Sequence, residues 1–370
     1  MKTYRSMKTV LGIVSTAVVL SFLSVVAFGV ELPEQALSHA NPRVQEVMAV
    51  QEAATPDLMA MPDVLGTAVG QNNHGELTIL VFVNLEGKNP AASARNIPKS
   101  LGGKGITVKF TEPFRALVKP PKVPAVSHTA KQTTPIQLGT SGGWGHDLAN
   151  GYCCGGTLGS LIQIGDTKYI LSNYHVFESD IVSGGNSRVA ANGDPVIQPG
   201  LIDVGCNAEN AQEVATLVKK GSLPDNNVDA SIAQVVSGAV DPAGSILEIG
   251  TISSNTVAAS LNQPVKKSGR TTRLTRSKVS GLNATVSVAY ENECAGGTAF
   301  TKTFTGQIII ANRASKFLAG GDSGSLMVED VTTNPRAVGL LFAGSSSLAV
   351  ANPINEVLSF FGATAIMVGQ

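Results

Sequence analysis

A mainly β fold is what this 370-residue sequence predicts, on three observations. Glycine is abundant, at 39 residues; aromatic residues make up only 5%; and long helical hydrophobic periods are scarce. Short apolar runs separated by Gly-rich turns recur instead from about residue 141 to the end, the pattern of barrels or sandwiches. The length suggests two or three domains, and 43% hydrophobic residues suffice for more than one core. Acidic and basic side chains balance at 27 each, so the basic footprint of a nucleic-acid partner is absent.

In chain order, residues 1–29 read as a signal peptide. Lys2, Arg5 and Lys8 form a positive start, Thr9 to Val30 carry no charge, and Ala27 and Gly29 are spaced for cleavage after Gly29. The expected location is secreted or periplasmic. The alternative is a retained membrane anchor over 9–30, since 22 uncharged residues can span a bilayer. Residues 41–115 read as a small α/β domain. Asn41-Pro42 is a helix start with Val44, Val47 and Met48 on one face, and runs 64–70 and 77–84 flank an Asn-Asn-His-Gly turn. A further strand follows at 106–110. Residues 116–140, with Pro120, Pro121, Pro124 and Pro135, read as an extended linker.

The remaining domain, 141–370, carries strand patterns at 156–164, 168–172, 229–236, 264–290, 307–311, 325–329 and 337–344. It closes with a helix, read with Asn352 as cap, Pro353 at its first position, Ile354, Val357, Leu358 and Phe361 on one face, and Gly362 as stop. Export makes disulfides available to Cys153, Cys154, Cys206 and Cys294, in any of three pairings, although the adjacent pair is a poor match for itself. No CxxC is present and His146 has no ligand spacing, so neither a metal nor a cofactor is expected.

The segment 320–327, GGDSGSLM, poses the functional question: Ser323 is either a nucleophile or a polar residue of a tight turn. A nucleophilic serine needs a base, a carboxylate to orient it, and N–H donors for the oxyanion. Five histidines exist; His39, His74 and His128 precede or lie in the linker, and of the remaining two His175 ends the strong strand pattern KYILSNYHV. No histidine follows Ser323, which excludes the α/β-hydrolase order. The order His, Asp, Ser on a β scaffold remains. Among the intervening Asp residues, Asp229 stands at the mouth of an apolar strand, where burial would fix it; Asp194, Asp203, Asp225 and Asp241 sit in loop sequence.

YILSNYHV, VDASIAQV and GGDSGSLM together resemble the three catalytic blocks of chymotrypsin-like serine peptidases, and KKSGRTTRLTRSKVSGLNATV resembles a segment of the secreted bacterial, streptogrisin and α-lytic, type. The resemblance covers about residues 150–362 and implies a double antiparallel β-barrel with the site in the cleft between barrels. It implies His175, Asp229 and Ser323 as the triad, the N–H groups of Gly321 and Ser323 as the oxyanion hole, and Phe317, Ala343 and Gly344 as substrate-binding positions. An apolar Phe317 six residues before the serine implies preference for small or apolar side chains. The implied activity is that of an exported serine endopeptidase acting on protein or peptide substrates, with 41–115 a candidate intramolecular pro-region. The alternative is a catalytically inactive binding or adaptor protein that keeps the fold. The sequence departs from the usual pattern in three places. Tyr174 and Val176 flank the histidine, Ser325 and Leu326 follow Gly324, and no basic residue precedes an Ile-Val-Gly-Gly start.

Overall fold

The computed structural model describes residues 36–115, 127–149, 152–178, 188–290 and 300–370. The targeting segment, residues 116–126 of the linker, and Cys294 lie outside them. The N-terminal part contains helix α1 (Pro42–Met59), strands β1 (Val64–Gln71) and β2 (Leu77–Asn84), helix α2 (Pro90–Asn96), strands β3 (Ser100–Leu101) and β4 (Lys104–Thr111), and the two-residue strand β5 (Phe114–Arg115). Asn41 caps α1 as its sequence predicts, its side chain accepting from the Arg43 N–H at 3.0 Å. The buried face holds Val44, Val47 and Met48. It also buries Gln51, whose Nε2 donates to Thr67 Oγ1 of β1 at 2.8 Å, so a polar side chain fixes how the helix sits on the strand. β2 and β4 run parallel, which needs a crossover, and α2 with β3 supplies it. Helix α2 gave no sequence signal because it buries none of its seven residues and so shows no apolar period.

The first barrel comprises β6 (Thr140–Trp144), β9 (Gly156–Leu158), β10 (Ser160–Ile164), β11 (Thr167–Ser172), β12 (Pro195–Gln198), β13 (Gln212–Val218) and β14 (Ser231–Val235). Between its strands lie a small hairpin, β7 (Leu148–Ala149) with β8 (Tyr152–Cys153), and the short helix α3 (Tyr174–Phe177). The pairing order runs β10, β11, β14, β13, β12, β6, β9. Only Gly159 separates β9 from β10, so one bent strand joins both ends of the order and closes the sheet. Its Cβ position overlaps the Gly324 and Leu171 carbonyls, which reserves the bend for glycine. A disulfide joins Cys153 of β8 to Cys206. This is one of the pairings the sequence left open, and no described cysteine is free.

The second barrel comprises β15 (Pro264–Lys267), β16 (Thr275–Tyr290), β17 (Phe300–Ala311), β18 (Leu326–Glu329), β19 (Ala337–Gly344) and β20 (Leu348–Pro353). Its order is β15, β18, β19, β20, β17, β16, and β16 pairs back onto β15, which completes a ring of six antiparallel strands. Helix α4 (Ile354–Phe361) follows, and β21 (Ala365–Met367) returns to pair with β10 of the first barrel. The double antiparallel barrel with an N-terminal α/β part and a C-terminal helix is the fold the sequence predicts. One local expectation is corrected: Asn352 is the penultimate residue of β20 and does not cap α4, whose preceding residue is Pro353.

The N-terminal part shares a sheet with the second barrel. β1 pairs antiparallel with β16, from Gly66 opposite Val286 to Gly70 opposite Gly281, and β2, β4 and β3 extend the sheet outward. Phe82, Leu80 and Phe114 from this part join Val286, Val288, Tyr290, Phe304 and Phe342 in one buried cluster.

Candidate active site

His175 stands on α3, immediately after β11, and Asp229 immediately precedes β14, the neighbour of β11 in the first barrel. Strand pairing therefore brings together two residues far apart in sequence. His175 Nδ1 and Asp229 Oδ2 are 2.6 Å apart, and Asp229 is fully buried. Its other oxygen, Oδ1, accepts from the Tyr174 N–H at 2.8 Å and the His175 N–H at 3.4 Å, the opening turn of α3. Asn173 makes no side-chain cap there, so Asp229 satisfies the orphan donors of that turn from across the sheet. The Asp229 backbone is clamped as well: Asn173 Nδ2 donates to its carbonyl at 2.7 Å, and its N–H donates to Asn352 Oδ1 at 3.0 Å. That contact is what occupies Asn352 in place of a helix cap. A fourth side chain, Tyr290 of β16, donates its hydroxyl to Asp229 Oδ2 at 2.9 Å.

Ser323 comes from the other half of the molecule, on the loop that leads into β18. Gly321 and Gly324 flank it with φ of 87° and 90°, conformations that disfavour any residue with a Cβ. A Cβ at Gly324 would overlap Ser172 and the Thr157 carbonyl. Thr157 of β9 grips this loop across the barrel junction. Its N–H donates to the Ser323 carbonyl at 2.8 Å and its hydroxyl to the Gly321 carbonyl at 2.9 Å. The N–H groups of Gly321 and Ser323 donate to no other backbone carbonyl among the described residues, which leaves two adjacent donors beside the serine. Ser323 Oγ donates to the Phe342 carbonyl at 3.5 Å, and it makes no hydrogen bond to His175.

Asp322, between Gly321 and Ser323, is fully buried and turned away from the serine. Lys267 Nζ, also fully buried, lies 3.1 Å from its Oδ1. The Thr271 and Thr272 N–H groups donate to the same oxygen, and Thr272 Oγ1 and the Ala319 N–H to the other. Burial pulls the Lys267 ammonium below the ordinary lysine value, and the Asp322 charge opposes that pull. An internal lysine thus supplies the cation that holds this loop. Arg270, three residues on, pairs instead with Asp203, Nε to Oδ2 at 2.6 Å.

Of the predicted substrate-binding positions, Ala343 and Gly344 end β19, directly after Phe342. Gly344 pairs antiparallel with Arg115 of β5, while β16 flanks β5 on its other side. Phe317 is buried to 2% exposure, its side chain in the core cluster that includes Leu318, Val279 and Leu341. Its N–H is held by Asn312 Oδ1 at 3.0 Å.

No protein-family model matches the chain, and no curated protein matches it. Among solved structures it is similar to a glutamic acid-specific serine protease that uses a histidine triad in substrate binding, at 20% identity over 63% of this chain and 100% of that one, with a TM-score of 0.40. It is also similar to Thermobifida fusca Protease A, at 20% identity over 64% and 99% with a TM-score of 0.41. A third is Cellulomonas bogoriensis chymotrypsin, at 17% identity over 64% and 99% with a TM-score of 0.37.

Tyr290, Lys267, Thr157 and Asn352 support the site and escaped the sequence reading. Each acts through a contact between distant segments. Only Lys267 had a visible flag, a charged residue at a position of a strand pattern that proves buried.

Proposed function

We propose that the protein is an exported serine endopeptidase that cleaves peptide bonds through an acyl-enzyme. The observation that carries this reading is the 2.6 Å bond between His175 Nδ1 and the buried Asp229 in the barrel whose Thr157 also holds the glycine-flanked Ser323 loop. In the reaction Ser323 Oγ attacks the scissile carbonyl while His175 Nε2 takes its proton. The carbonyl oxygen, now negative, is held by the Gly321 and Ser323 N–H groups. His175 then gives the proton to the leaving amine, and water, activated by the same imidazole, releases the acid product. Asp229 holds the Nδ1–H tautomer and stabilises the imidazolium. Asp322 and Lys267 keep the oxyanion loop in shape.

Residues 41–115 act in this reading as an intramolecular pro-region. β5 lies between Gly344 of β19, which it pairs antiparallel, and Val288 and Ala289 of β16, which it pairs in parallel, so it covers the backbone edge of Gly344 as an extended peptide would. A tethered strand occupies that position at high effective concentration and keeps substrate out until the chain is cut within 116–140. Ala343 and Gly344 then receive the substrate backbone, and the apolar surroundings of Phe317 favour small or apolar side chains at the cleaved bond.

The second reading, an inactive adaptor with this fold, draws on the Ser323 hydroxyl pointing to Phe342 rather than His175. Serine–histidine bonds are often long before substrate binds, so the first reading accommodates that geometry. A fluorophosphonate probe decides between them. Labelling of the wild type cut within 116–140 and none of equally cut Ser323→Ala supports the peptidase, whereas a folded, cut wild type that stays unlabelled supports the adaptor.

A further inference from the structure

We infer that Tyr290 is a positioning residue of the triad, setting the basicity of His175 through the hydrogen bond it gives to Asp229. The inference rests on the peptidase reading above. Asp229 has four side-chain hydrogen bonds, and three come from the Tyr174–His175 turn beside it. The fourth comes from Tyr290, across the junction from the second barrel, at 2.9 Å and fully buried. It reaches Oδ2, the same oxygen that takes His175 Nδ1. The phenol and the imidazole therefore compete for one oxygen's charge. The stronger the phenol donates, the less that oxygen favours an imidazolium.

The ring is held for this task. Phe300 stacks on it at 4.9 Å with planes 9° apart, Phe304 tilts against it at 6.4 Å, and it meets the His175 ring edge-on at 6.0 Å. Burial, then the Asp229 charge and hydrogen bond, push the phenol well above the ordinary tyrosine value, so it stays a donor across the working range of a histidine base. Glu178, fully buried at the end of α3, is the nearest further carboxylate on the chain, and its Oε1 accepts from Ser231 of β14 at 2.9 Å. Asp229 and His175 come from the first barrel. Lys302 of β17 lies over the Phe304 ring at 6.0 Å, and Arg115 of β5 pairs beside Ala289.

The test is the second-order rate of fluorophosphonate labelling against pH of the whole protein after a cut within 116–140, which reads the histidine-assisted nucleophile without needing the natural substrate. In Tyr290→Phe the acid limb of that profile should move up by about one pH unit, the shift equivalent to one hydrogen bond to a charged group. Uniform replacement of tyrosine by 3-fluorotyrosine makes the phenol a stronger donor and should move the limb down in the wild type, a direction that loosened packing does not produce. Phe300→Leu keeps the hydroxyl and should leave the limb in place. A labelled wild type whose limb moves in neither the Phe variant nor the fluorinated protein overturns the inference alone, as does an equal shift in Phe300→Leu. A folded wild type that never labels overturns the peptidase reading first.

Discussion

The site holds two buried carboxylates, and they differ in the kind of cation each faces. Asp229 bonds an imidazole that, in the proposed reaction, gains and loses a proton in every turnover, and its hydrogen bonds come from neutral donors that leave the local charge free to change. Asp322 faces the ammonium of Lys267, which takes no part in the proposed proton transfers, and collects four further donors from Thr271, Thr272 and Ala319. The first arrangement suits chemistry. The second suits a latch, because a fully buried ion pair is destabilised strongly when either member goes missing. The contrast teaches that burial alone does not mark a catalytic acid; the partner's freedom to titrate does.

The largest effect that could break this distinction is in turnover. Asp229→Asn should lower peptidase turnover about 10⁴-fold by favouring the wrong imidazole tautomer. Thermal unfolding should move little, since the amide oxygen can still accept from the Tyr174 turn. If Asp229→Asn unfolds the protein while sparing turnover in the folded fraction, the roles assigned to the two carboxylates are reversed.

Lys267→Met should act on the latch. It leaves Asp322 buried without a cation and should cost about 3–5 kcal/mol of stability, read by denaturant unfolding. Adding Asp322→Asn removes the stranded charge and should restore much of that stability without restoring turnover, because the Gly321–Ser323 loop has lost its anchor. Recovery of both would show that the pair serves folding only.

The alkaline side of the pH profile sharpens the same point. Burial lowers Lys267, so its charge is lost at a pH below the ordinary lysine range, and turnover should fall there as Asp322 loses its partner. Arginine stays charged across that range, so Lys267→Arg should carry the alkaline limb upward. An unmoved limb assigns it to another group.

The smallest expected effect belongs to Asn352. Asn352→Ala strands the buried Asp229 N–H and should cost about 1–3 kcal/mol with a modest loss of turnover. The mirror-image substitution Asn41→Ala removes a true helix cap. It should cost about 1 kcal/mol and leave turnover of the folded protein unchanged.

Those two asparagines also show what the sequence could and could not disclose. Asn41-Pro42 and Asn352-Pro353 are the same two letters before an apolar period, and both read as helix starts. Only the first caps a helix, because the second is claimed by Asp229 and Gln307 from other strands. The strands at 156–172, 231–235, 264–290 and 326–344 were legible because alternation and Gly-rich turns are local signals, whereas β6, β12, β13 and β20 were not read as strands. Helix α2 was not, having no buried face to impose a period. The candidate triad could be picked out because chain order and residue type narrow the choice to His175, Asp229 and Ser323. Its supports were hidden because Tyr290, Lys267 and Thr157 become relevant only when the two barrels close and meet. The attachment of β1 to β16 was hidden for the same reason, since a sheet edge carries no mark of which strand will pair with it.

The central claim is that Ser323 is a nucleophile activated by His175 and Asp229. The most direct test is fluorophosphonate labelling followed by mass measurement, on the intact chain and on protein cut within 116–140. The account predicts one adduct, on Ser323, formed faster after the cut, absent in Ser323→Ala and strongly slowed in Asp229→Asn. A folded, cut wild type that takes no adduct, or takes it on another residue, would contradict it.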